Sequence, residues 1–149
     1  MATEQEGQYQ LLIENYFRVF NNPSSTFEDL EEFLHPEIVW QEMPNCFGPI
    51  GRIARLDAIR PSWERGREFL AEQEYILQVI IVSGDTAAVR FIWRGKISKS
   101  IAGLAVGTEL SGQIASFFQF RDDKIVKQVD YPCYDPIPNS STDETQRLN

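Results

Sequence analysis

Residues 109–134 read ELSGQIASFFQFRDDKIVKQVDYPCY, in which two runs rich in β-branched and aromatic residues flank the polar cluster Arg121-Asp122-Asp123. This pattern is typical of a β-hairpin, because strand-forming residues on either side of a turn cluster can pair directly. We therefore predict strands over Glu109–Phe120 and Lys124–Tyr134. They would be the last two strands of the sheet.

The direction of each side chain in this hairpin follows from the alternation along a strand. One face of the first strand is mostly apolar and carries one hydroxyl; its residues are Ile114, Ser116, Phe118 and Phe120. In the second strand Gln128 and Asp130 share a face, and Lys127 lies on the other. If Lys127 points to solvent, Asp130 points into the protein.

An upstream hairpin is predicted with strands over Tyr75–Val82 and Ala87–Ile97, joined by a Ser-Gly-Asp-Thr turn. The connection between the two hairpins, Ser98–Thr108, contains two glycines, which weaken a central strand. We interpret this connection as a candidate lid.

The part of the chain before residue 74 is predicted to be mainly helical. Thr3 and Glu6 resemble a capping box, and the helical spacing of the apolar residues that follow predicts a first helix up to about Phe20. A second capping box, at Ser25 and Glu28, predicts a short second helix.

The second helix is expected to end at His35-Pro36, because the residue before a proline disfavours the helical conformation. The ring of His35 would then bind a free carbonyl at the helix end. A short strand is predicted over Glu37–Met43, followed by a third helix disturbed at Pro61. The apolar face of that third helix would carry Ile53, Leu56, Ile59, Trp63 and Leu70.

A chain in which helices come first and antiparallel hairpins follow has the element order typical of an α+β fold. We predict a cone-shaped, curved antiparallel sheet packed on three N-terminal helices, with a hollow under the cone. Residues 1–135 would form a single domain, which suits a chain of 149 residues. Residues 136–149 lack apolar periodicity and are predicted to form a disordered polar tail.

The composition excludes several classes of partner. The formal net charge is -8 without a Lys/Arg cluster, which argues against nucleic-acid binding. No apolar run approaches the roughly 20 residues of a membrane span, so no membrane partner is expected and the cytoplasm is the predicted location. Cys46 and Cys133 lack metal-type spacing and are predicted to be reduced thiols. Because His35 is the only histidine, we predict no metal site, and no cofactor.

Two acidic residues, Glu42 and Asp130, lie in segments that otherwise resemble a core. A buried carboxylate is costly unless it is paired, hydrogen-bonded or protonated, so each needs a satisfying partner or a chemical role. For Asp130, a structural bond to Arg90, Arg94 or a backbone amide competes evenly with an acid or base role. The same alternatives hold for Glu42.

The hydroxyls of Tyr16 and Ser116 are predicted to be buried, and each could simply be satisfied by a protein partner. A catalytic role is favoured only if both hydroxyls lie in one hollow together with the carboxylates of Glu42 and Asp130. We predict Asp130, Glu42 and Tyr16 as the catalytic residues. The predicted substrate-binding residues are Trp40, Ser116, Phe118, Ile114 and Gln128.

Several segments, in this order, resemble the nuclear transport factor 2-like superfamily in its SnoaL-like branch, which is related to polyketide cyclases and ketosteroid isomerases. They are Glu14-Asn15-Tyr16-Phe17, the step from His35 to Trp40, the helix disturbed by Pro61, and Val129-Asp130-Tyr131. The resemblance spans about Gln8 to Asp135 and implies a cystatin-like α+β barrel.

The resemblance also implies roles for single residues. Relative to ketosteroid isomerases, Tyr16 is similar to the oxyanion-binding tyrosine, Glu42 stands where the general-base aspartate lies, and Ser116 replaces a protonated aspartate. Relative to limonene epoxide hydrolase, residues 40–44 resemble a Tyr-Gln-Asn-Met-Pro segment, although the Arg-x-Asp motif of that enzyme is not reproduced. Asp130 matches the last-strand aspartate of that hydrolase and of SnoaL-type cyclases.

Together, residues and resemblance predict a cofactor-independent acid/base enzyme of isomerase, cyclase or hydrolase type, acting on a small apolar molecule. Asp130 and Glu42 would share the proton transfer, one of them held protonated, and Tyr16 and Ser116 would donate to a developing oxyanion. The alternative is a non-catalytic ligand-binding or dimerisation module. In that case the outer face of the sheet, including Phe117, would form a homodimer.

Overall fold

The computed structural model describes residues 1–137, over which three helices and six strands follow one another. Their bounds are α1 Glu4–Asn21, α2 Phe27–Glu31, β1 Leu34–Glu42, β2 Arg52–Arg55, α3 Leu56–Phe69, β3 Leu70–Ser83, β4 Thr86–Ile97, β5 Glu109–Arg121 and β6 Lys124–Tyr134. The predicted α+β class is confirmed. From residue 138 onward, the tail predicted over residues 136–149 lies outside the described residues.

The first helix begins as predicted. The Thr3 hydroxyl accepts a hydrogen bond from the Glu6 amide at 3.1 Å, and the Glu6 carboxylate accepts one from the Thr3 amide at 2.8 Å. This reciprocal pair satisfies two amides that a helix start leaves free. The buried side of α1 consists of Tyr9, Ile13, Tyr16 and Phe17.

The second helix differs from the prediction at both ends. Its capping box uses Thr26 and Asp29, one residue after the predicted pair, and it ends at Glu31 rather than at His35. A Ser-Ser-Thr run offers several caps, so the local signal does not choose among them. The carbonyl-binding role predicted for His35 was wrong, because His35 lies in β1 and its Nε2 is 3.2 Å from the Asp122 carboxylate.

A strand that the sequence did not indicate, β2, precedes the third helix. It pairs antiparallel with β1 over four residues and includes Ile53, which was predicted to lie on the helix. Leu70, at the other predicted end of the helix, begins β3. Between these ends α3 is continuous through Pro61.

The six strands form one sheet in the order β2-β1-β6-β5-β4-β3. Four pairs are antiparallel, including the two predicted hairpins β3–β4 and β5–β6, but β1 runs parallel to β6. No hairpin turn joins β1 to β6, so nothing local constrains their relative direction. Strands β2 and β3 are free edges, so the sheet is curved but not closed into the predicted barrel.

The parallel pair has a consequence for the two acidic residues. Its register sets Glu42 opposite Asp130, and the Met43 amide donates to the Asp130 carbonyl at 2.9 Å. Two carboxylates that are 88 positions apart in sequence therefore become neighbours on adjacent strands.

The free edge at β3 is covered at one point by a side chain. The Asn21 side-chain amide donates to the Tyr75 carbonyl at 2.9 Å, and its oxygen accepts from the Tyr75 amide at 2.7 Å. Asn21 is the last residue of α1, so this contact also ties the helix to the sheet.

The two faces of the sheet differ in character. The concave face packs on the helices and includes Val89, Phe91 and Phe118. On the convex face, the register aligns an apolar row across four strands. This outer row consists of Ile81, Ala88, Phe117 and Val129.

Two further features of the structure concern the cysteines and the length of the helices. Cys46 and Cys133 are free thiols, as predicted, and both are exposed. Within residues 1–137, none of the helices combines the length and apolar character that crossing a membrane would require.

Candidate active site

A cavity of about 580 Å³ lies between the concave face of the sheet and the helices. Its volume falls in the range of small-molecule sites in proteins, roughly 300–1,000 Å³. Its walls are mainly aromatic and aliphatic and include all three tryptophans of the chain: Trp40, Trp63 and Trp93.

The mouth of the cavity is marked by the lining residues that are exposed to solvent. They are Phe47, Arg52, Arg65, Ile101 and Ala102. The last two belong to the connection Ser98–Thr108, so the predicted lid segment does border the cavity. This segment has a turn closed by mutual backbone hydrogen bonds between Ile101 and Leu104.

Asp130 lies at the polar end of the cavity and accepts three side-chain hydrogen bonds. Its Oδ1 accepts from the Ser116 hydroxyl at 2.5 Å and from the Gln128 amide at 3.0 Å. Its Oδ2 accepts from the Trp40 indole N–H at 2.7 Å. The structural alternative was a bond to Arg90, Arg94 or a backbone amide. The three side chains that bind this carboxylate are neutral donors instead.

The network continues from Asp130 to the first helix. The fully buried Tyr16 hydroxyl donates to the Gln128 side-chain oxygen at 2.7 Å. Gln128 therefore accepts from Tyr16 and donates to Asp130, which fixes the orientation of its amide. A chain of oriented bonds links α1 to the carboxylate.

The electrostatics of this site combine two opposing effects. Burial raises the pKa of the Asp130 carboxyl above its usual value, and the charge of Glu42 adds to the rise, whereas the three hydrogen bonds oppose it. Burial, followed by the charge of Asp130, also raises the pKa of the Tyr16 phenol, so Tyr16 stays protonated.

Glu42 occupies the same wall in a less enclosed position. Its Oε1 accepts a hydrogen bond from the Asn45 side chain at 2.7 Å, and its side chain is half-buried. Asn45 in turn binds the Met43 carbonyl and the amides of Phe47 and Gly48, so it holds the loop after β1 in place.

The structure brings six of the eight predicted site residues to the cavity wall. These are Tyr16, Trp40, Glu42, Ile114, Gln128 and Asp130. Ser116 and Phe118 are fully buried and do not lie among the lining residues of the cavity, so their predicted contact with substrate stays a prediction. Ser116 bonds Asp130, and Phe118 packs edge-on against Tyr16 with ring centroids 6.0 Å apart.

Sequence reasoning missed a second polar cluster in the same cavity. The Gln73 oxygen accepts from the Tyr75 hydroxyl and the Trp93 indole N–H, each at 3.2 Å. Gln73 follows Glu72, whose φ of 52° belongs to a bulge in β3. A bulge re-aims the side chains around it, and no pattern of alternation could have indicated it.

Tyr134 was also missed, although it lies at the end of the last strand. It lines the cavity, and the predicted hairpin already placed it on the same face as Gln128 and Asp130. The even-numbered positions that Tyr134 shares with Gln128 and Asp130 were therefore the sequence signal that could have identified it as a lining residue.

No group of three or more histidine, cysteine, aspartate or glutamate side chains with the arrangement of a metal site occurs within residues 1–137.

The sequence profile of the SnoaL-like domain matches residues 13–128, which is most of the chain. The protein belongs to the SnoaL-like family. This family is part of the nuclear transport factor 2-like superfamily, as predicted. No curated protein sequence matches this SnoaL-like protein.

Solved structures resemble the SnoaL-like protein in fold. AclR from Streptomyces galilaeus, suggested to be a hydroxylase, superposes with a TM-score of 0.72 at 15% identity, covering 86% of this chain and 80% of AclR. IdmH from Streptomyces antibioticus, suggested to be a polyketide cyclase, superposes with a TM-score of 0.68 at 22% identity, covering 83% of this chain and 90% of IdmH. TerC, co-crystallised with polyporic acid, superposes with a TM-score of 0.66 at 17% identity, covering 84% of this chain and 91% of TerC. At these identities the similarity shows the fold.

Proposed function

We propose that this SnoaL-like protein is a cofactor-independent acid/base enzyme that moves a proton on a small, largely apolar substrate. The observation that carries the proposal is the placement of Asp130: a carboxylate on the wall of an apolar cavity, with both oxygens oriented by neutral donors. A group oriented in this way can transfer a proton without first reorganising.

Burial shifts the pKa of Asp130 in the direction that favours this role. A general acid or base works best when its pKa lies near the working pH, and burial raises the pKa of this carboxyl above its ordinary acidic value. Glu42 acts as the counterpart, because its charge favours the protonated form of Asp130.

Tyr16 and Ser116 take different roles from those expected. Their hydroxyls donate to Gln128 and Asp130, so neither has its proton free for an oxyanion on the substrate. We assign both as positioning residues, with Gln128 and Trp40, that hold Asp130 toward the cavity.

The relatives support small-molecule chemistry in this fold. IdmH is suggested to be a polyketide cyclase, AclR a hydroxylase, and TerC was crystallised with polyporic acid. An isomerase or cyclase reaction, in which a proton leaves a carbon next to a carbonyl, needs one base and a shielded site, and the cavity of this protein offers both. Hydrolase chemistry is the more distant option, because within residues 1–137 the side chains that hydrogen-bond to Asp130 are all neutral.

Deuterium exchange tests the proposal without knowledge of the natural substrate. The probe is 2-tetralone in D₂O, whose α-protons exchange when a base removes them, and NMR follows their loss. We expect the protein to accelerate exchange and Asp130→Asn to reduce this acceleration roughly 100-fold or more. Asp123→Asn, on the exposed β5–β6 turn, is the matched control and should exchange at the wild-type rate. Equal rates for the protein and buffer alone, or for Asp130→Asn and wild type, would remove Asp130 from the mechanism.

The second candidate is a module that binds ligand or dimerises without turnover. The outer row favours dimerisation, because Phe117 is 49% exposed and Ile81 60% exposed on a continuous apolar strip. Phe117 also packs edge-on against Tyr131, which is 44% exposed. We propose that a second copy of this chain covers this face, whichever role the cavity has.

A further inference from the structure

Three tyrosines line the cavity, and they differ in what their hydroxyls bind. Tyr16 donates to Gln128 at 2.7 Å and Tyr75 donates to Gln73 at 3.2 Å. The Tyr134 hydroxyl makes no hydrogen bond to any residue within 1–137, and no fully buried side-chain nitrogen or oxygen there lacks a hydrogen-bond partner. The Tyr134 hydroxyl is therefore accessible, and it is the tyrosine donor of the cavity that remains free for a ligand.

The ring of Tyr134 is held in place even though its hydroxyl is free. It packs edge-on against Phe47 with ring centroids 4.7 Å apart and against Trp93 at 5.8 Å. Gly112 lies opposite it on β5, where a Cβ atom would come within 2.9 Å of the Tyr134 ring. Glycine at this position makes room for the ring, so the direction of the hydroxyl is set by packing.

The surroundings of Tyr134 keep its proton in place. Burial raises the pKa of the Tyr134 phenol, and the charge of Glu42 adds to that rise, followed by smaller contributions that include Asp130. The Tyr134 hydroxyl therefore acts as a hydrogen-bond donor, and the charges of Glu42 and Asp130, on the same wall of the cavity, favour its protonated form.

We propose that Tyr134 binds the carbonyl or enolate oxygen of the molecule that occupies the cavity. This inference rests on the proposed function. When Asp130 takes a proton from the carbon next to that carbonyl, the C–H electrons form a C=C bond and the carbonyl π electrons move to oxygen. The hydrogen bond from Tyr134 strengthens as that negative charge develops, and return of the proton from Asp130 to carbon completes the reaction.

The cavity also indicates the kind of molecule that carries this oxygen. Its three tryptophans and other rings favour a flat, unsaturated body, because aromatic rings pack against π systems. A flat aromatic ketone is therefore a suitable probe for the cavity, with its oxygen near Tyr134.

The test uses two probes of similar shape, 2-acetylnaphthalene and 2-isopropylnaphthalene, which differ in having or lacking the ketone oxygen. Binding is followed by the fluorescence of the cavity tryptophans. Tyr134→Phe keeps the ring and removes the donor, and we expect it to lose about tenfold in affinity for the ketone and none for the hydrocarbon. Tyr131→Phe removes a hydroxyl from the outer face of the same strand and should change neither affinity. The thermal unfolding of Tyr134→Phe should match the wild type, because no intramolecular bond is lost.

The outcomes separate the two proposals. If wild type binds both probes and Tyr134→Phe binds the ketone equally well, the role of Tyr134 is overturned and small-molecule binding stands. Equal losses for ketone and hydrocarbon would also overturn it, since they would trace to the ring rather than to the donor. If wild type binds neither probe, the inferred ligand of Tyr134 is overturned, and the exchange of 2-tetralone decides the proposed function separately.

Discussion

Each oxygen of Asp130 accepts at least one hydrogen bond, yet burial raises the pKa of its carboxyl. Neutral donors stabilise the charged form less than a cation would, so desolvation prevails. Alternation along β6 was enough to predict that Asp130 points inward. The contact with Trp40 could not be predicted, because Trp40 lies in β1, whose register with β6 is a long-range property.

The raised pKa of Asp130 predicts a pH dependence of stability. The folded-state pKa lies above the ordinary value of 3.8, so the folded state binds this proton more tightly than the unfolded state does. The tighter binding of this proton stabilises the folded state fully below pH 3.8, and this stabilisation is lost as the pH rises through the folded-state pKa of Asp130. We expect the free energy of unfolding of wild type, minus that of Asp130→Asn, to fall over this range. Urea unfolding of both proteins at a series of pH values measures it, and a difference that grows with pH would mean that the hydrogen bonds outweigh burial.

Glu42→Gln should lower the pKa of Asp130, because it removes a negative charge that disfavours ionisation of its neighbour. Carbon-13 NMR titration of the Asp130 carboxyl gives the value directly. Glu37→Gln removes a charge from the exposed part of the same strand and should leave the Asp130 titration in place. An unchanged pKa in Glu42→Gln would show that the two carboxylates do not interact.

At the scale of elements, the sequence predicted β4, β5, β6 and the first helix well, because their apolar periodicity is sustained. Strand β3 begins at Leu70, five residues before the predicted start, and the bulge near Glu72 interrupts its alternation. Strand β5 begins at Glu109 and β6 spans Lys124–Tyr134, as expected. The shorter elements, α2 and β2, were misplaced or missed, since four or five residues carry too little periodic signal to set a boundary. The direction of β1 was missed for a different reason: strand pairing at long range is decided by tertiary packing.

Two glycines in different elements should respond in opposite ways to alanine. Gly112, in β5, has no room for a methyl group beside Tyr134, and we expect Gly112→Ala to destabilise the fold by about 1–3 kcal/mol. Gly7 lies on the exposed side of α1 with no atom near its added Cβ, so Gly7→Ala should stabilise by roughly 0.5–1 kcal/mol. Chemical denaturation of the two variants measures both effects, and a neutral Gly112→Ala would show that Tyr134 can move.

At the scale of the whole molecule, one face of the sheet encloses the cavity and the other presents the outer row to solvent. An exposed apolar strip on a protein surface commonly marks an interface. Alternation along β5 predicted that Phe117 lies on the outer face. The continuity of the row did not follow from the sequence, because it depends on the register across four strands.

Dimerisation through the outer row is tested by sedimentation velocity. We expect wild type to sediment as a dimer of the 17.2 kDa chain and Phe117→Glu to weaken dimerisation by about 2 kcal/mol or more. Leu11→Glu makes the same kind of change at an exposed apolar residue of α1 and should leave the dimer intact. A wild-type monomer at high concentration would contradict this assembly.

The amide of Asn21 matters for the solubility of the protein as well as for its shape. By meeting both the N–H and the C=O of Tyr75, it takes the place that another strand would occupy beside β3. An unprotected border of this kind can template the growth of fibrils from one molecule to the next. A single side chain at the end of the first helix thus helps to keep the sheet from extending into an aggregate.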